Sequence, residues 1–305
     1  MPNALSTPGN RDPYPTRITS PLSPLPRRCP VIHGSTRQRL AGPLDAASLE
    51  SFDKDGFLWM EGFLSPEEIA PFFDELNAME LDHELTSSDQ VITDPDSGAI
   101  RSVFAMHELS DRFAALTRHP YLLAIIHQLL GSEAYIHQSR INDKSGFQGS
   151  GFDWHSDFET WHAEDGMPRM RAVSASLMLT DNLEFNGPLM LVPGSHRHFI
   201  PTVGETPDNN WQTSLQHQRL GVPSEEVLGD LIERHGIVAP KGPAGSLLLF
   251  DCNILHASNR NLTPWPRSNL FFVYNSVENS LESPFSGTAP RPEFLASRSD
   301  CDTLR

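Results

Sequence analysis

The sequence predicts a mainly β fold, an antiparallel double-sheet jelly roll decorated by N-terminal helices. Three observations predict it. Apolar residues follow helical spacing up to about residue 130, the period changes to two from Glu133, and turn signals separate the short strands that follow.

Residues 1–30 are rich in Pro and Ser with few large apolar groups, so they bury too little to offset ordering entropy. They are expected as an extended or disordered arm. A first helix is expected over 45–53. A second starts at Ser65, where Ser65-Pro66-Glu67-Glu68 combines an N-cap, a Pro at the first helical position and a capping-box Glu. Ile69, Phe72, Phe73, Leu76 and Met79 keep helical spacing behind it. Asp, Pro and Gly over 87–98 read as a loop. A third helix, over about 120–130, is closed by Gly131 at the C-cap.

Strands follow. Over 135–144, Gln138, Arg140, Asn142 and Lys144 share one parity, either a solvent-facing row or a polar inward face. Residues 172–180 set Ser174, Ser176 and Met178 against Val173, Ala175, Leu177 and Leu179. Asn186-Gly187-Pro188 turns the chain into a strand over 189–192, which Pro193-Gly194-Ser195-His196 closes. A polar insertion spans 198–241. Strands over 246–250 and 269–274 complete the half, and 283–305 reads as a loose tail. Residues 31–290 are expected as one domain, with the jelly-roll core at about 133–276 and a loose C-terminal tail over 291–305.

The chain has 305 residues, with 23 Lys plus Arg against 39 Asp plus Glu, a net charge of −16. That balance argues against nucleic acid or an anionic membrane as partner, since both select basic patches. Three scattered cysteines, Cys29, Cys252 and Cys301, indicate neither a disulfide framework nor a Cys-x-x-Cys metal site. A reducing cytoplasm is expected. No signal peptide is apparent, and no run approaches the roughly 18 apolar residues of a membrane span.

The chemistry concentrates in 151–169, GFDWHSDFETWHAEDGMPR. His155-Ser156-Asp157 is a His-x-Asp pair, which in an extended segment sends both ligand-type side chains off one face. Among 13 His such a pair arises readily by chance, so its context matters. His256 follows an apolar strand and can complete a 2-His-1-carboxylate triad with open positions for substrate and oxygen. Arg267 precedes the strand over 269–274 on the parity of Asn269 and Phe271; it is placed either to clamp a carboxylate or to form a structural ion pair. Zinc is the rival metal, but no Cys lies near either His, and iron(II) suits the set better. Trp154 and Trp161 bracket the motif, and Trp161 reads equally as core filler or as a substrate-facing wall. His162, His196 and His198 are treated as supporting residues.

Phe152, the run 154–162, Glu164-Asp165-Gly166 and Pro168 resemble the signature segment of the ectoine hydroxylases. Asp12-Pro13-Tyr14-Pro15-Thr16-Arg17, Ile136 to Asn142, Asn186-Gly187-Pro188-Leu189-Met190 and Pro193-Gly194-Ser195-His196 resemble the same family, so the similarity covers most of the chain. That family lies in the phytanoyl-CoA dioxygenase-like branch of the iron(II)/2-oxoglutarate oxygenases. The resemblance implies a double-stranded β-helix core and a homodimer. It implies hydroxylation of ectoine to 5-hydroxyectoine with O2, releasing succinate and CO2, a step in compatible-solute biosynthesis under osmotic stress. It further implies iron on His155, Asp157 and His256; 2-oxoglutarate on Phe152, Asn142, Lys144, Ser174, Ser258 and Arg267; and ectoine against Gln138, Trp161, Phe271 and Arg140. The polar row from Gln138 to Lys144 would then face inward. Asp143 and the run 148–153 depart from the family pattern, which bears on substrate preference. Two other readings share part of this pattern. A related oxygenase for another small zwitterion or an acyl substrate keeps the triad and Arg267 but changes the pocket, and a non-catalytic cupin-like binding protein keeps only the barrel.

Overall fold

The computed structural model describes residues 12–80, 82–95, 97–299 and 301–305. Three expected helices form where their caps stand. Asp45 caps the helix Ala46–Asp55, which ends on Gly56 at φ 84°, a left-handed turn that favours Gly. Ser65 and Glu68 exchange the two bonds of a capping box ahead of Pro66–Glu80, and Pro120–Leu130 ends on left-handed Gly131.

Strands are numbered in chain order: β1 Leu25–Pro26, β2 Phe57–Met60, β3 Val91–Thr93, β4 Ile100–Phe104, β5 Ala134–Lys144, β6 Phe152–His155, β7 Ala172–Met178, β8 Leu189–Leu191, β9 His198–Phe199, β10 Leu247–Asp251, β11 His256–Ser258 and β12 Arg267–Ser276. Seven form one sheet in the order β2-β10-β7-β12-β5-β4-β3; a smaller sheet runs β6-β11-β8, and β1 pairs with β9. Neighbouring strands run antiparallel throughout these sheets.

Register decides which side chains share a face. Val173, Ala175 and Leu177 of β7, Leu247 and Leu249 of β10, and Leu270 and Phe272 of β12 pack on Phe52, Leu76, Phe113, Ile126 and Leu129 of the helices. Burying each of the Val, Leu, Ile and Phe side chains contributes about 1.5–3 kcal/mol. On the opposite face Leu248, Phe250 and Phe271 meet Leu189 and Leu191 of the small sheet, so the two sheets pack face to face. The polar row of β5 lies on that inner face, because Arg140 pairs with Phe271 and Asn142 with Asn269.

In four places the structure adds to or corrects the expectation. The stretch 87–98 contains β3, paired with β4, which its Asp- and Gly-rich surroundings concealed. The insertion 198–241 carries the helix Glu225–His235, capped by Ser224. The arm does not hang free: over 12–30 it runs extended but packed, with Tyr14 1% exposed against Phe158 and Phe199. Residues 1–11 lie outside the described residues. The tail over 291–305 is docked too, since Leu295 and Ala296 are fully buried and Leu304 bridges to Ala134. In both segments a few apolar anchors and Arg residues, rather than average composition, secure the chain.

Candidate metal centre

His155 ends β6 directly opposite His256 of β11, and their ring centroids are 4.2 Å apart. Ser156 stays extended, at φ −110° and ψ 129°, so Asp157 emerges beside His155 before the chain turns into the short helix Asp157–Thr160. His155 Nε2 lies 3.7 Å from Asp157 Oδ1, and His256 Nε2 lies 3.8 Å from Asp157 Oδ2. All three ligand atoms fall within 4.8 Å of one another, and all three residues are buried. Each imidazole donates from Nδ1 to a backbone carbonyl, His155 to Asp153 at 2.7 Å and His256 to Ile254 at 3.1 Å. That choice of tautomer leaves both Nε2 lone pairs aimed at the centre. Burial pushes the His155 imidazole down to about 4 and lowers His256 as well, which keeps both neutral. Burial opposes ionisation of Asp157, but His256 and Arg140 outweigh it and hold the carboxyl below its ordinary range. Asp157 Oδ2 is buried with no hydrogen-bond partner. Two neutral imidazoles and a carboxylate with a vacant lone pair, buried together, fit a divalent ion that supplies the missing bonds.

The centre opens onto a cavity between the two sheets. The large sheet lines it with Gln138, Arg140, Asn142, Arg267 and Phe271, the small sheet with Phe152, Leu189 and Ser258. Arg267 is 1% exposed, and its Nε and Nη2 both donate to the Gly187 carbonyl, at 3.0 and 2.6 Å. Gly187 has φ 78°, and a Cβ there would sit 2.4 Å from the Asn259 carbonyl, so only Gly makes this turn. Burial lowers the Arg267 guanidinium to about 10, against the pull of Asp143, and no carboxylate lies within ion-pair distance among the described residues. A buried cation facing a cavity without a partner is suited to an incoming anion. Ser258 Oγ, on the cavity wall, is buried and unbonded, a polar group of the kind a bound dicarboxylate would satisfy; Ser174 and Ser176 Oγ and both ends of the Asn269 amide, outside the cavity lining, are buried and unbonded too.

Arg140 donates to Gln138 Oε1, stands 3.9 Å from Asp157 Oδ1, and places its guanidinium 4.8 Å over the Phe271 ring. Two residues expected at the co-substrate do not line the cavity. Lys144 lies behind Phe152, its ammonium donating to the Ser150 and Asn259 carbonyls and standing 5.2 Å from the Phe152 ring. Ser174 shares the inner face with Val273 but lies deeper along the sheet. Trp161 lines the cavity from the π-helical turn Trp161–Asp165, which it opens one helical turn beyond Asp157. It is 2% exposed, packs among Tyr14, Phe158 and Met170, and meets His137 edge-on at 5.1 Å, so it is core and wall at once.

Sequence reasoning missed Arg17, Glu164, Asn210 and Arg291, which come to the cavity from the arm, the π-helical turn, the insertion and the tail respectively. Arg291 is held by Asp165 through two hydrogen bonds of 2.7 and 2.6 Å. The Asp12 to Arg17 motif was the available signal for Arg17, whereas nothing short-range marked Arg291.

A facing pair of antiparallel sheets with a His-x-Asp…His cluster at a polar cavity defines a class of metal-dependent oxygenase. The phytanoyl-CoA dioxygenase (PhyH) model matches residues 52–269, and the chain belongs to that family. It is 54% identical to the ectoine dioxygenase of Halomonas elongata over 293 residues, 95% of this chain and 87% of that protein. Against the ectoine dioxygenase of Bordetella bronchiseptica it is 48% identical, covering 97% and 95%. The crystal structure of EctD from S. alaskensis with 2-oxoglutarate and 5-hydroxyectoine superposes with a TM-score of 0.86 at 44% identity, covering 97% of this chain and 98% of that one. The same protein with bound Fe gives 0.85. The α-ketoglutarate-dependent carbocyclase SnoK shares the fold at 17% identity, with a TM-score of 0.64 and 86% and 94% covered.

Proposed function

We propose that this protein is an iron(II)- and 2-oxoglutarate-dependent dioxygenase that hydroxylates ectoine to 5-hydroxyectoine, releasing succinate and CO2. One observation carries the reading: the His155–Asp157–His256 cluster shares a buried cavity with Arg267, a cation that lacks a carboxylate. His155, Asp157 and His256 hold the iron, which when bound supplies the oxidising chemistry with O2 and 2-oxoglutarate.

The remaining work belongs to the chain. Arg267 receives the distal carboxylate of 2-oxoglutarate, with Asn142, Phe152 and Ser258 around it; Ser174 lies deeper, and Lys144 backs Phe152. Arg140 and Gln138 position the ectoine carboxylate and ring, and Phe271 and Trp161 shape the apolar walls. Packing of the arm and tail over the cavity excludes water from the reacting carbon.

The protein is further proposed to act as a cytoplasmic homodimer in the response to osmotic stress. Cys29 and Cys252 are free thiols, and among the described residues no helix is long and apolar enough to cross a membrane. Succinate release that depends on ectoine, iron(II) and 2-oxoglutarate together tests the activity. Asp157→Ala should abolish it and lose bound iron, because a buried ligand with no substitute is removed. Succinate released equally with and without ectoine would remove the substrate assignment, and full turnover by Asp157→Ala would remove the metal assignment.

A further inference from the structure

The cavity lining includes a carboxylate, Glu164, with one oxygen left without a donor among the described residues. Arg17 reaches it from the N-terminal arm and bonds two buried carboxylates at once, Glu159 through Nε and Nη2 at 3.1 Å each and Glu164 through Nη1 at 2.5 Å. Two carboxylates share this one guanidinium, and Arg291, held on Asp165, is another cation within electrostatic reach of Glu164. Glu159 is fully used, since its oxygens also accept from Thr16 at 2.7 Å and Thr202 at 2.9 Å. Glu164 is not. Its Oε1 takes both Arg17 and Asn210, the latter at 2.8 Å, while no donor among the described residues reaches Oε2. Glu164 is 3% exposed and lines the cavity, so that free oxygen has only the cavity to face. A buried carboxylate oxygen without a donor is costly unless a partner arrives to bond it.

Resting on the proposed function, we infer that Glu164 is a substrate-binding residue that pairs with the cationic ring nitrogen system of the substrate and so selects a zwitterion over a plain carboxylate. Arg17 and Asn210 hold it in place. Ectoine joins a delocalised amidinium to a carboxylate, and the cavity offers both complements: Arg140 and Arg291 for the anion, Glu164 for the cation. The indole of Trp161 cannot carry that selectivity alone, because much of its surface is committed to the core.

The experiment compares two ligands on the protein loaded with iron(II) and 2-oxoglutarate, without oxygen, by titration calorimetry. Ectoine is the zwitterion, and cyclohexanecarboxylate is a six-membered ring with the anion alone. Glu164→Gln keeps the shape and both hydrogen bonds to Oε1 but removes the charge. Ectoine binding should weaken roughly 10- to 100-fold, the range of a charge-assisted hydrogen bond, while cyclohexanecarboxylate binds as well or better. Glu164→Asp restores the charge and should restore the preference for ectoine. The ratio of the two affinities within one sample does not depend on the fraction folded, so it remains decisive if a variant is less stable. Equal losses for both ligands, or no change in the ratio, overturn the assignment to Glu164. The wild-type requirement for ectoine in succinate release tests the function separately.

Discussion

Arg267 illustrates how one side chain acquires a function from its surroundings. Its Nε and Nη2 are anchored on the Gly187 carbonyl, its stem is buried, and its charge has no carboxylate among the described residues. A lysine there keeps the charge but cannot bond Gly187 and a ligand in the same planar geometry. Arg267→Lys should therefore raise the KM for 2-oxoglutarate about 10- to 100-fold with a much smaller change for ectoine, in steady-state assays that vary each substrate in turn. Equal shifts in both constants would point instead to general disorder of the cavity. His33 makes a different prediction. Its imidazole is mostly buried with Nε2 3.3 Å from the Met170 carbonyl, and desolvation together with nearby Arg171 pushes it down to about 4. Unfolded, it titrates near the ordinary value of 6.5, so between pH 6.5 and 4 the unfolded chain binds a proton that the folded chain refuses. Stability is thus highest above pH 6.5 and falls as the pH drops toward 4, by at most about 3 kcal/mol for this group. Denaturant titration at pH 7 and pH 5 should show a smaller decrease in His33→Gln than in the wild type.

At the scale of elements, the segment from β6 through the π-helical turn does most of the organising. It supplies His155 from a strand end, Asp157 from the first residue of a helix and Trp161 from the turn beyond, and its Glu159, Glu164 and Asp165 capture the arm and the tail. Because Trp161 is both core and wall, its truncation should not separate stability from binding. Trp161→Ala is expected to cost about 3–5 kcal/mol of folding stability and to weaken ectoine binding as well, which thermal melting and calorimetry on one preparation would register. A normal melting temperature with lost ectoine affinity would mean that the indole belongs to the pocket alone.

For the whole molecule, closure depends on segments remote in sequence. The tail brings Arg291 to the cavity and satisfies Asp165, while Leu295 and Leu304 seal the end of the sheet against β5. Deleting 291–305 leaves Asp165 buried without its guanidinium, a loss of about 3–5 kcal/mol on top of the exposed apolar area. The truncated protein should melt earlier and bind ectoine weakly, whereas the proposed metal cluster, built from β6, the helix that follows it and β11, should retain metal in the fraction that stays folded. Iron content measured against folded fraction checks this.

That His155, Asp157 and His256 come together was legible in the chain itself. His-x-Asp and His256 are chemically distinctive, and a period-two pattern on β5 and β7 announces which residues share a face, because strand geometry is local. Cap residues likewise located the helices over 46–55, 66–80 and 120–130. What the local pattern could not decide was direction and closure. The row Gln138, Arg140, Asn142 reads the same facing water or a cavity, and only pairing of β5 with β12, under the small sheet, turns it inward. Lys144 shares that row yet lies behind Phe152, since its depth depends on where the 152–155 strand crosses. The arm and the tail looked loose because disorder is judged from average composition, whereas their order rests on a few long-range ion pairs, Arg17 with Glu159 and Glu164 and Arg291 with Asp165. Those bonds join residues 126 to 147 positions apart, and no property of either segment alone contains its partner.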